Sequence, residues 1–330
     1  MINPTSSTHF IILAGPLGSG KTTLLENLLA SHDLGSNTAV IVNEAGAVNI
    51  DGSILMESEN GLVIETLSNG CVCCSLNNDL TFTVEELFST RAQMDLPPFE
   101  RIVLECSGLS LPGQVMRSLV GLAHLKMPVS IVCTYDCSRP PIVEEQFDVV
   151  TSQLVVANSV VLTKRDIATD EEIKAASELV ALVSPLASVI NEPDLFARAR
   201  MAFLQPAKPP KFTVPSVRFV ESQTVAHPRI KVHVASLSKD VEVEDVMDWL
   251  ENVSGVLGER LLRSKVLVHF DGGSTLLQSV GTTFAAPRAM REPSKQPNTA
   301  IVISRDCELG ELDAIPRSFT TQWESATKSS

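Results

Sequence analysis

A short glycine-rich sequence near the N-terminus constrains the fold of this chain most. Positions 15–22 have the sequence Gly-Pro-Leu-Gly-Ser-Gly-Lys-Thr, which follows an apolar run at 10–14 and precedes a helix-favouring run at 23–29. A strand, a glycine loop, a Lys-Thr pair and a helix, in this order, are the required context of a phosphate-binding P-loop. Glycine lets the backbone N–H groups turn inward around an anion, and the helix dipole adds to the attraction. The sequence therefore predicts a nucleoside-triphosphate site.

The residues of this loop have separate expected roles. We expect Lys21 to reach the β- and γ-phosphates and the hydroxyl of Thr22 to bind Mg²⁺. The alternative is a glycine-rich turn that matches by chance, and the flanking strand and helix count against it. The remaining phosphate contacts are expected from the loop itself, at Gly15, Gly18, Ser19 and Gly20.

Composition excludes several classes of partner. The chain has 330 residues, enough for two domains, and a formal net charge of −13. Nucleic acids and anionic membranes both need a basic face, so neither is an expected partner. No apolar run in the sequence approaches the ~20 residues of a membrane span, and the first nine residues lack the features of a signal peptide. We therefore expect a cytoplasmic location.

Alternating strand and helix patterns predict an α/β domain over residues 1–204. Helical patterns separate the predicted strands, as at 77–94, so a doubly wound, mostly parallel sheet is expected. Apolar, β-branched strands of this kind are typical of a parallel sheet that is buried on both faces. Beyond the first strand, such runs occur at 38–43, 61–67, 101–105, 127–134 and 159–162.

Acidic residues follow two of these strands. Ligands of open α/β sheets bind at the carboxyl ends of the strands, so Glu44 and Asp51 could contact Mg²⁺ or the water molecules bound to it. The alternative for this pair is that both are solvated loop acids. Glu105 ends the strand at 101–105, where P-loop proteins carry an acid near Mg²⁺. Gly108 would let the backbone approach the γ-phosphate.

Positions 163–166 have the sequence Thr-Lys-Arg-Asp, which resembles the guanine-reading Asn-Lys-x-Asp of GTPases. In that resemblance Asp166 accepts hydrogen bonds from the guanine N1–H and amino group, and the stem of Lys164 covers the base. Thr163 replaces the asparagine that braces the loop, which leaves the choice between GTP and ATP open. Residues 184–190 are expected to close the base pocket and to begin a last strand.

Three cysteines lie within four positions, at Cys71, Cys73 and Cys74. Thiolates on one tight loop suit a soft metal ion such as Zn²⁺ or Cu(I), and Co²⁺ accepts the same tetrahedral field. Three ligands without a clear fourth form an open site, which favours a metal that is carried and handed over. The alternatives are small buried residues or a redox pair. Three further cysteines are expected in the core or lining the site: Cys106, Cys133 and Cys137.

The C-terminal part of the chain has a different pattern. Three prolines within 205–211 predict a linker, because proline disrupts both helix and sheet. Residues 212–312 predict a small α+β domain, with a helix at 241–256 and an apolar face of Val243, Val246, Met247, Leu250 and Val253. Residues 313–330 form a polar tail that we expect to be mobile from position 322.

Five motifs together resemble a known family. They are Gly-Pro-Leu-Gly-Ser-Gly-Lys-Thr-Thr at 15–23, Asn-Glu-Ala-Gly at 43–46, Gly-Cys-Val-Cys-Cys at 70–74, Glu-Cys-Ser-Gly at 105–108 and Thr-Lys-Arg-Asp at 163–166. In this order they look like the CobW-type GTPases, the metallochaperone relatives of the hydrogenase and urease nickel-insertion GTPases. The resemblance covers nearly the whole chain, more weakly in the C-terminal part.

The resemblance implies GTP hydrolysis coupled to the handling of Zn²⁺ or Co²⁺, which is delivered to a client metalloprotein or metal chelatase. It adds Thr23 to the phosphate and Mg²⁺ motif, and it matches Lys21, Glu44 and Glu105 to the catalytic positions. Ala45 departs from the usual phenylalanine, so the packing of the switch segment differs. The physiological metal, the client and the oligomeric state do not follow from the sequence.

Two alternatives remain open at this point. One is an ATP-using P-loop enzyme with a structural metal site, and the other is a zinc-binding interaction module with a vestigial nucleotide site. For the GTPase, we hypothesise that the γ-phosphate orders residues 44–74 and that hydrolysis releases the metal. Turnover is expected to be slow, because the sequence shows no evident arginine finger in cis.

Overall fold

The computed structural model describes residues 8–30, 37–42, 63–66, 76–138, 147–204, 229–270, 273–290 and 297–325. The chain forms two compact units, Met1–Ala207 and Lys208–Ser330. The linker predicted at 205–211 lies outside the described residues.

The first unit is built on a parallel sheet of seven strands in the order β3-β2-β4-β1-β5-β6-β7. Its strands are β1 (His9–Ala14), β2 (Thr38–Val42), β3 (Val63–Thr66), β4 (Arg101–Glu105), β5 (Val129–Asp136), β6 (Ser159–Thr163) and β7 (Ser188–Ile190). Its helices are α1 (Lys21–Leu29), α2 (Leu76–Gln93), α3 (Pro112–Ser118), α4 (Phe147–Val156), α5 (Asp170–Val183) and α6 (Leu195–Phe203). The predicted α/β class with a parallel sheet is confirmed.

The central strand β1 determines where a ligand can bind. Ile11 and Leu13 are buried on it, and they pack with Leu24 and Leu28 of α1 in one core cluster. Strand β1 lies between β4 and β5, so the chain continues on one side through β2–β4 and on the other from β5. Such a reversal of strand order is the switch point at which open α/β sheets bind ligands. The glycine loop leaves β1 at this point.

The second unit contains an antiparallel sheet in the order β11-β10-β9-β13-β8-β14, with β12 paired to β10. Its strands are β8 (Ile230–Leu237), β9 (Leu261–Phe270), β10 (Gly273–Val280), β11 (Thr283–Phe284), β12 (Arg288–Ala289), β13 (Thr299–Arg305) and β14 (Thr321–Ser325). Its helices are α7 (Val243–Leu257) and α8 (Leu309–Asp313).

The apolar face of helix α7 is shifted from the one that the sequence predicts. Trp249 is fully buried in the core of the second unit, whereas Met247 is 40% exposed. The inward stripe therefore consists of Val246, Trp249, Leu250, Val253 and Leu257. The helical spacing allows either residue to flank the stripe, and the larger indole gains more from burial than the thioether.

The prediction of a mobile tail was wrong for residues 322–325, which belong to strand β14. Strand β14 pairs with β8, and Trp323 packs against the core with its ring centroid 6.0 Å from that of Trp249. The polar composition of these residues gave no strand signal. A strand at the edge of an antiparallel sheet can be held by backbone hydrogen bonds and one inward apolar side chain, so it need not contain an apolar run. Residues 326–330 lie outside the described residues.

Candidate nucleotide site

The glycine loop leaves the start of α1 open to an anion. Gly18 and Gly20 have left-handed φ angles of 71° and 88°, and Gly20 is the N-cap of α1. No side chain caps this helix start. The first N–H groups of a helix have no partner within the helix, so here they remain available to a phosphate.

Two other glycines let backbone segments approach each other closely. Gly15 has φ 144°, and a Cβ atom there would lie 2.2 Å from Thr134 Oγ1 and 2.8 Å from the Thr134 carbonyl oxygen. A Cβ atom on Gly108 would lie 2.5 Å from the backbone nitrogen of Leu17. Gly108 therefore packs directly on the glycine loop, at the position from which we expect it to approach the γ-phosphate.

Lys21 is held inside the loop that it belongs to. Its Nζ donates hydrogen bonds to the carbonyl oxygens of Gly15 at 2.8 Å and Pro16 at 3.0 Å. Burial lowers the pKa of the Lys21 ammonium, and the charge of Glu105 partly offsets this effect. A buried ammonium beside open helix N–H groups attracts a polyanion strongly, because the interior screens its charge less than water does.

Thr22 and Glu105 meet although they are distant in sequence. The Thr22 hydroxyl donates a hydrogen bond to Glu105 Oε1 at 2.7 Å. Glu105 is buried at the end of β4, and Thr22 is exposed in the first turn of α1 next to Thr23. A hydroxyl and a carboxylate are oxygen donors of the kind that Mg²⁺ prefers, so this pair fits the predicted Mg²⁺ site.

Thr163 ties the glycine loop to strand β6. Its hydroxyl oxygen lies 2.7 Å from the Ser19 carbonyl oxygen and 3.0 Å from that of Tyr135. On the other side, the hydroxyls of Ser19 and Thr134 are 2.6 Å apart. The threonine that replaces asparagine in the Thr-Lys-Arg-Asp motif therefore still braces the loop.

We expect the Thr163→Val variant to lose about 1–3 kcal/mol of stability in the first unit, because the buried Ser19 carbonyl loses its donor. Nucleotide affinity should fall with it, as the loop relaxes. Urea unfolding followed by hydrogen exchange in β1 and β6 measures the change. Thr163→Ser is the matched control because it keeps the hydroxyl, and equal unfolding of the valine variant and the wild type would contradict the bracing role.

A cavity of about 680 Å³ lies between the loop, the end of β6 and the start of α6. Lys164 and Asp166 both line it. Lys164 has a left-handed φ of 54°, and its Nζ forms an ion pair with Asp136 Oδ2 at 2.8 Å. Burial raises the pKa of Asp136, but hydrogen bonds from Lys164 and Ser138 outweigh burial and keep that pKa below its ordinary value. Asp136 therefore stays ionised and anchors the Lys164 stem at the cavity.

The far wall of this cavity differs from the sequence prediction. Residues 184–190 contribute β7 but do not line the cavity, which is closed instead by Pro193, Leu195 and Arg198. The predicted wall ended with the residues of β7, whereas the observed wall is formed by residues that follow β7 in the chain. Asp136, Arg165 and Arg198 were not predicted. Asp136 carries the signal already used for Glu105, an acid at the carboxyl end of a strand. Arg165 lies inside the Thr-Lys-Arg-Asp motif, where only Lys164 and Asp166 were given roles, and Arg198 has no comparable sequence signal.

Several predicted site residues lie outside the described residues: Glu44, Asp51, Cys71, Cys73 and Cys74. Within the described part of the chain, no three His, Cys, Asp or Glu side chains cluster so as to hold a metal ion.

Cys106, Cys133 and Cys137 are buried there as free thiols, as expected, and burial raises the pKa of Cys106 and Cys133 to about 12. Over the same residues, no helix is long and apolar enough to cross a bilayer.

A glycine loop at the switch point of a parallel sheet, with an acid beside the first helical threonine, defines a P-loop nucleotide-binding protein. The profile of the family described as "CobW/HypB/UreG, nucleotide-binding domain" matches residues 9–191. The chain therefore belongs to the CobW/HypB/UreG family and is a CobW-type GTPase.

The relatives of this chain extend the similarity beyond the nucleotide-binding unit. The zinc chaperone YjiA of Escherichia coli is 27% identical over 310 residues, which are 91% of this chain and 94% of that protein. The zinc chaperone CobW of Pseudomonas aeruginosa is 39% identical over 115 residues, 32% of this chain and 29% of that protein. The crystal structure of Zn(II)-bound YjiA GTPase matches with a TM-score of 0.67 at 23% identity and covers 95% of this chain and 98% of that one. This last likeness supports the fold.

Proposed function

We propose that this protein is a zinc chaperone that binds Zn²⁺ through Cys71, Cys73 and Cys74 and passes it to a client metalloprotein or chelatase under the control of GTP. The observation that carries the proposal is the nucleotide site, where Lys21, Thr22 and Glu105 converge at the switch point of the sheet. The Cys-x-Cys-Cys sequence and the names of the relatives support zinc as the cargo. Thiolates also accept Co²⁺, so cobalt is the alternative cargo.

In the proposed mechanism, the N–H groups at the start of α1 and the ammonium of Lys21 bind the β- and γ-phosphates of GTP. Lys21 exchanges its two loop carbonyls for phosphate oxygens, and the pocket is already shaped for this charge. Thr22 and Glu105 would hold Mg²⁺, which neutralises charge on the phosphates when it is bound. Glu44 is proposed as the acid of the switch segment.

The proposed coupling links the two ligands through the switch segment. Glu44 and the three cysteines lie between β2 and α2 in the chain, and β2 ends at the same sheet edge as β4. Ordering of this segment by the γ-phosphate would bring the thiolates together, and hydrolysis would release them. This proposal requires that the GTP-bound and the GDP-bound protein differ in their affinity for zinc.

A zinc titration against a competing chelator tests the proposal. We expect the protein with a non-hydrolysable GTP analogue to bind Zn²⁺ at least about 10-fold more tightly than the protein with GDP. The Cys71→Ser, Cys73→Ser, Cys74→Ser triple variant should lose the tight site, because it removes all three proposed thiolate ligands.

The matched control is Cys307→Ser, which changes one buried thiol in the second unit. Burial raises the pKa of Cys307, and a protonated thiol is a poor metal ligand, so zinc binding should be unchanged. Equal zinc affinities with GDP and with the GTP analogue would remove the coupling. Tight binding in the triple variant would remove the cysteine site.

A further inference from the structure

The loop that follows β4 is held in place by one glutamine of α4. Gln153 is fully buried, and its Nε2 atom donates hydrogen bonds to the carbonyl oxygens of Gly108 at 3.0 Å and Ser110 at 2.9 Å. These partners lie 45 and 43 residues away in the chain. An amide nitrogen carries two hydrogens, so Gln153 commits both of them to this loop.

The loop itself is a tight turn that packs on the glycine loop. The Ser110 N–H donates a hydrogen bond to the Ser107 carbonyl oxygen at 3.0 Å. This bond defines a β-turn, with Gly108 and Leu109 at its two central positions. Gly108 packs on the backbone of Leu17, so the turn lies directly against the predicted phosphate-binding loop.

The hydrogen bonds of this turn decide which way its N–H groups point. The described residues contain no cis peptide bond, and in a trans peptide the C=O and the following N–H point in opposite directions. The Gly108 carbonyl points to Gln153, so the N–H of Leu109 points away from Gln153. The Ser107 carbonyl points into the turn, so the N–H of Gly108 points out of it. Neither N–H has a hydrogen-bond partner within the described part of the chain, and adjacent free N–H groups attract an anion.

We propose that Gln153 is a positioning residue for GTP hydrolysis, which orients the turn so that the free N–H groups of Gly108 and Leu109 meet the γ-phosphate. This inference rests on GTP as the nucleotide of the proposed function, with its γ-phosphate beside Gly108. Donors that are oriented in advance stabilise the charge that develops around this phosphate in the transition state. A turn that has lost Gln153 therefore loses rate as well as affinity for the γ-phosphate.

The Gln153→Met variant of the full-length protein tests the proposal. Methionine has nearly the length of glutamine but donates no hydrogen bond, so both loop carbonyls lose their donor. We expect kcat for GTP hydrolysis to fall by about 10- to 100-fold, and the affinity for β,γ-imido-GTP to fall by about 10-fold. The affinity for GDP should stay the same, because GDP has no γ-phosphate.

A purely structural role of Gln153 predicts a different result. Its loss would then lower the free energy of unfolding but leave the ratio of the affinities for GDP and the GTP analogue unchanged. Leu154→Ala is the matched control, because it removes a fully buried side chain from the next position of α4 and removes no donor. Hydrogen exchange in β1 should show that it destabilises the first unit, while kcat and the affinity ratio stay at the wild-type values.

Gln153→Asn is a second and milder variant, since it keeps the amide on a side chain that is shorter by one methylene group. It should change kcat and the affinity ratio in the same direction. Both quantities are referred to the nucleotide-binding sites titrated in the same preparation, so partial unfolding of a variant does not alter them. The proposal would be overturned by a folded variant with the wild-type kcat and affinity ratio, or by an equal loss of affinity for GDP and the GTP analogue.

The same measurements separate this inference from the proposed function, because they need Mg²⁺ but no zinc. Equal zinc affinities in the two nucleotide states would remove the coupling and leave the role of Gln153 intact. If the wild type hydrolyses GTP and both Gln153 variants match it, the role of Gln153 fails while GTP remains the nucleotide.

Discussion

Replacement of Lys21 by alanine is expected to lower kcat for GTP hydrolysis by about 100- to 1000-fold, the usual cost of removing one preorganised charge from a transition state. The Lys21 ammonium is buried among loop carbonyls at 2.8 and 3.0 Å, so water does not replace it easily. Release of inorganic phosphate at saturating GTP measures the effect. The loss should appear in kcat as well as in affinity, because the γ-phosphate gains charge interactions in the transition state.

Lys174→Ala serves as the control for this prediction. Lys174 is an exposed lysine of α5 that does not line the cavity, and its loss changes the net charge equally. Its turnover should match the wild type. Hydrolysis by Lys21→Ala at more than a tenth of the wild-type rate would contradict the role of Lys21 and would revive the interaction module with a vestigial nucleotide site.

Replacement of Gly15 by alanine is expected to destabilise the first unit by about 2–5 kcal/mol. Two costs add: a non-glycine residue at φ 144° is strained, and its Cβ would overlap the backbone and hydroxyl of Thr134. Both tryptophans of the chain, Trp249 and Trp323, belong to the second unit. Their fluorescence therefore reports the second unit, and hydrogen exchange in β1 and β5 is the appropriate measurement for the first.

Gly255→Ala is the contrasting substitution. Gly255 is exposed in the last turn of α7, and a methyl group added there would meet no other atom within 4 Å, so alanine should stabilise the second unit by up to about 1 kcal/mol. Tryptophan fluorescence during urea unfolding measures this gain. If the amides of β1 in Gly15→Ala are protected from hydrogen exchange as well as in the wild type, the loop tolerates a side chain at position 15. That result would contradict a close approach of Gly15 to Thr134 that excludes a side chain.

Much of the fold could be predicted because it depends on local pattern. The strands around the glycine loop are apolar and β-branched, and their parallel pairing follows from the helices between them. Strand β14 could not be predicted in this way, since Trp323 is one apolar residue in a polar run and its partner β8 is remote in sequence. Met247 was misplaced for a related reason, because helical spacing defines a stripe but does not decide which flanking side chain the sheet accepts.

The same distinction between local sequence pattern and long-range packing applies to the candidate site. Lys21, Thr22 and Glu105 belong to motifs whose residue types follow from phosphate and Mg²⁺ chemistry, and the structure brings the last two within 2.7 Å. Arg198 reaches the cavity at the end of β6 only through the packing of α6 beside this strand, which no short motif encodes. The roles of Glu44 and the three cysteines stay predictions.

The hydroxyl of Thr163 connects the two ends of the nucleotide site, since it holds the glycine loop at Ser19 from the strand that also presents Lys164 and Asp166. A purine that fits badly at one end would disturb this hydrogen bond and misalign the phosphates at the other. Discrimination between purines would then be expressed in the rate of the chemical step as much as in the occupancy of the pocket.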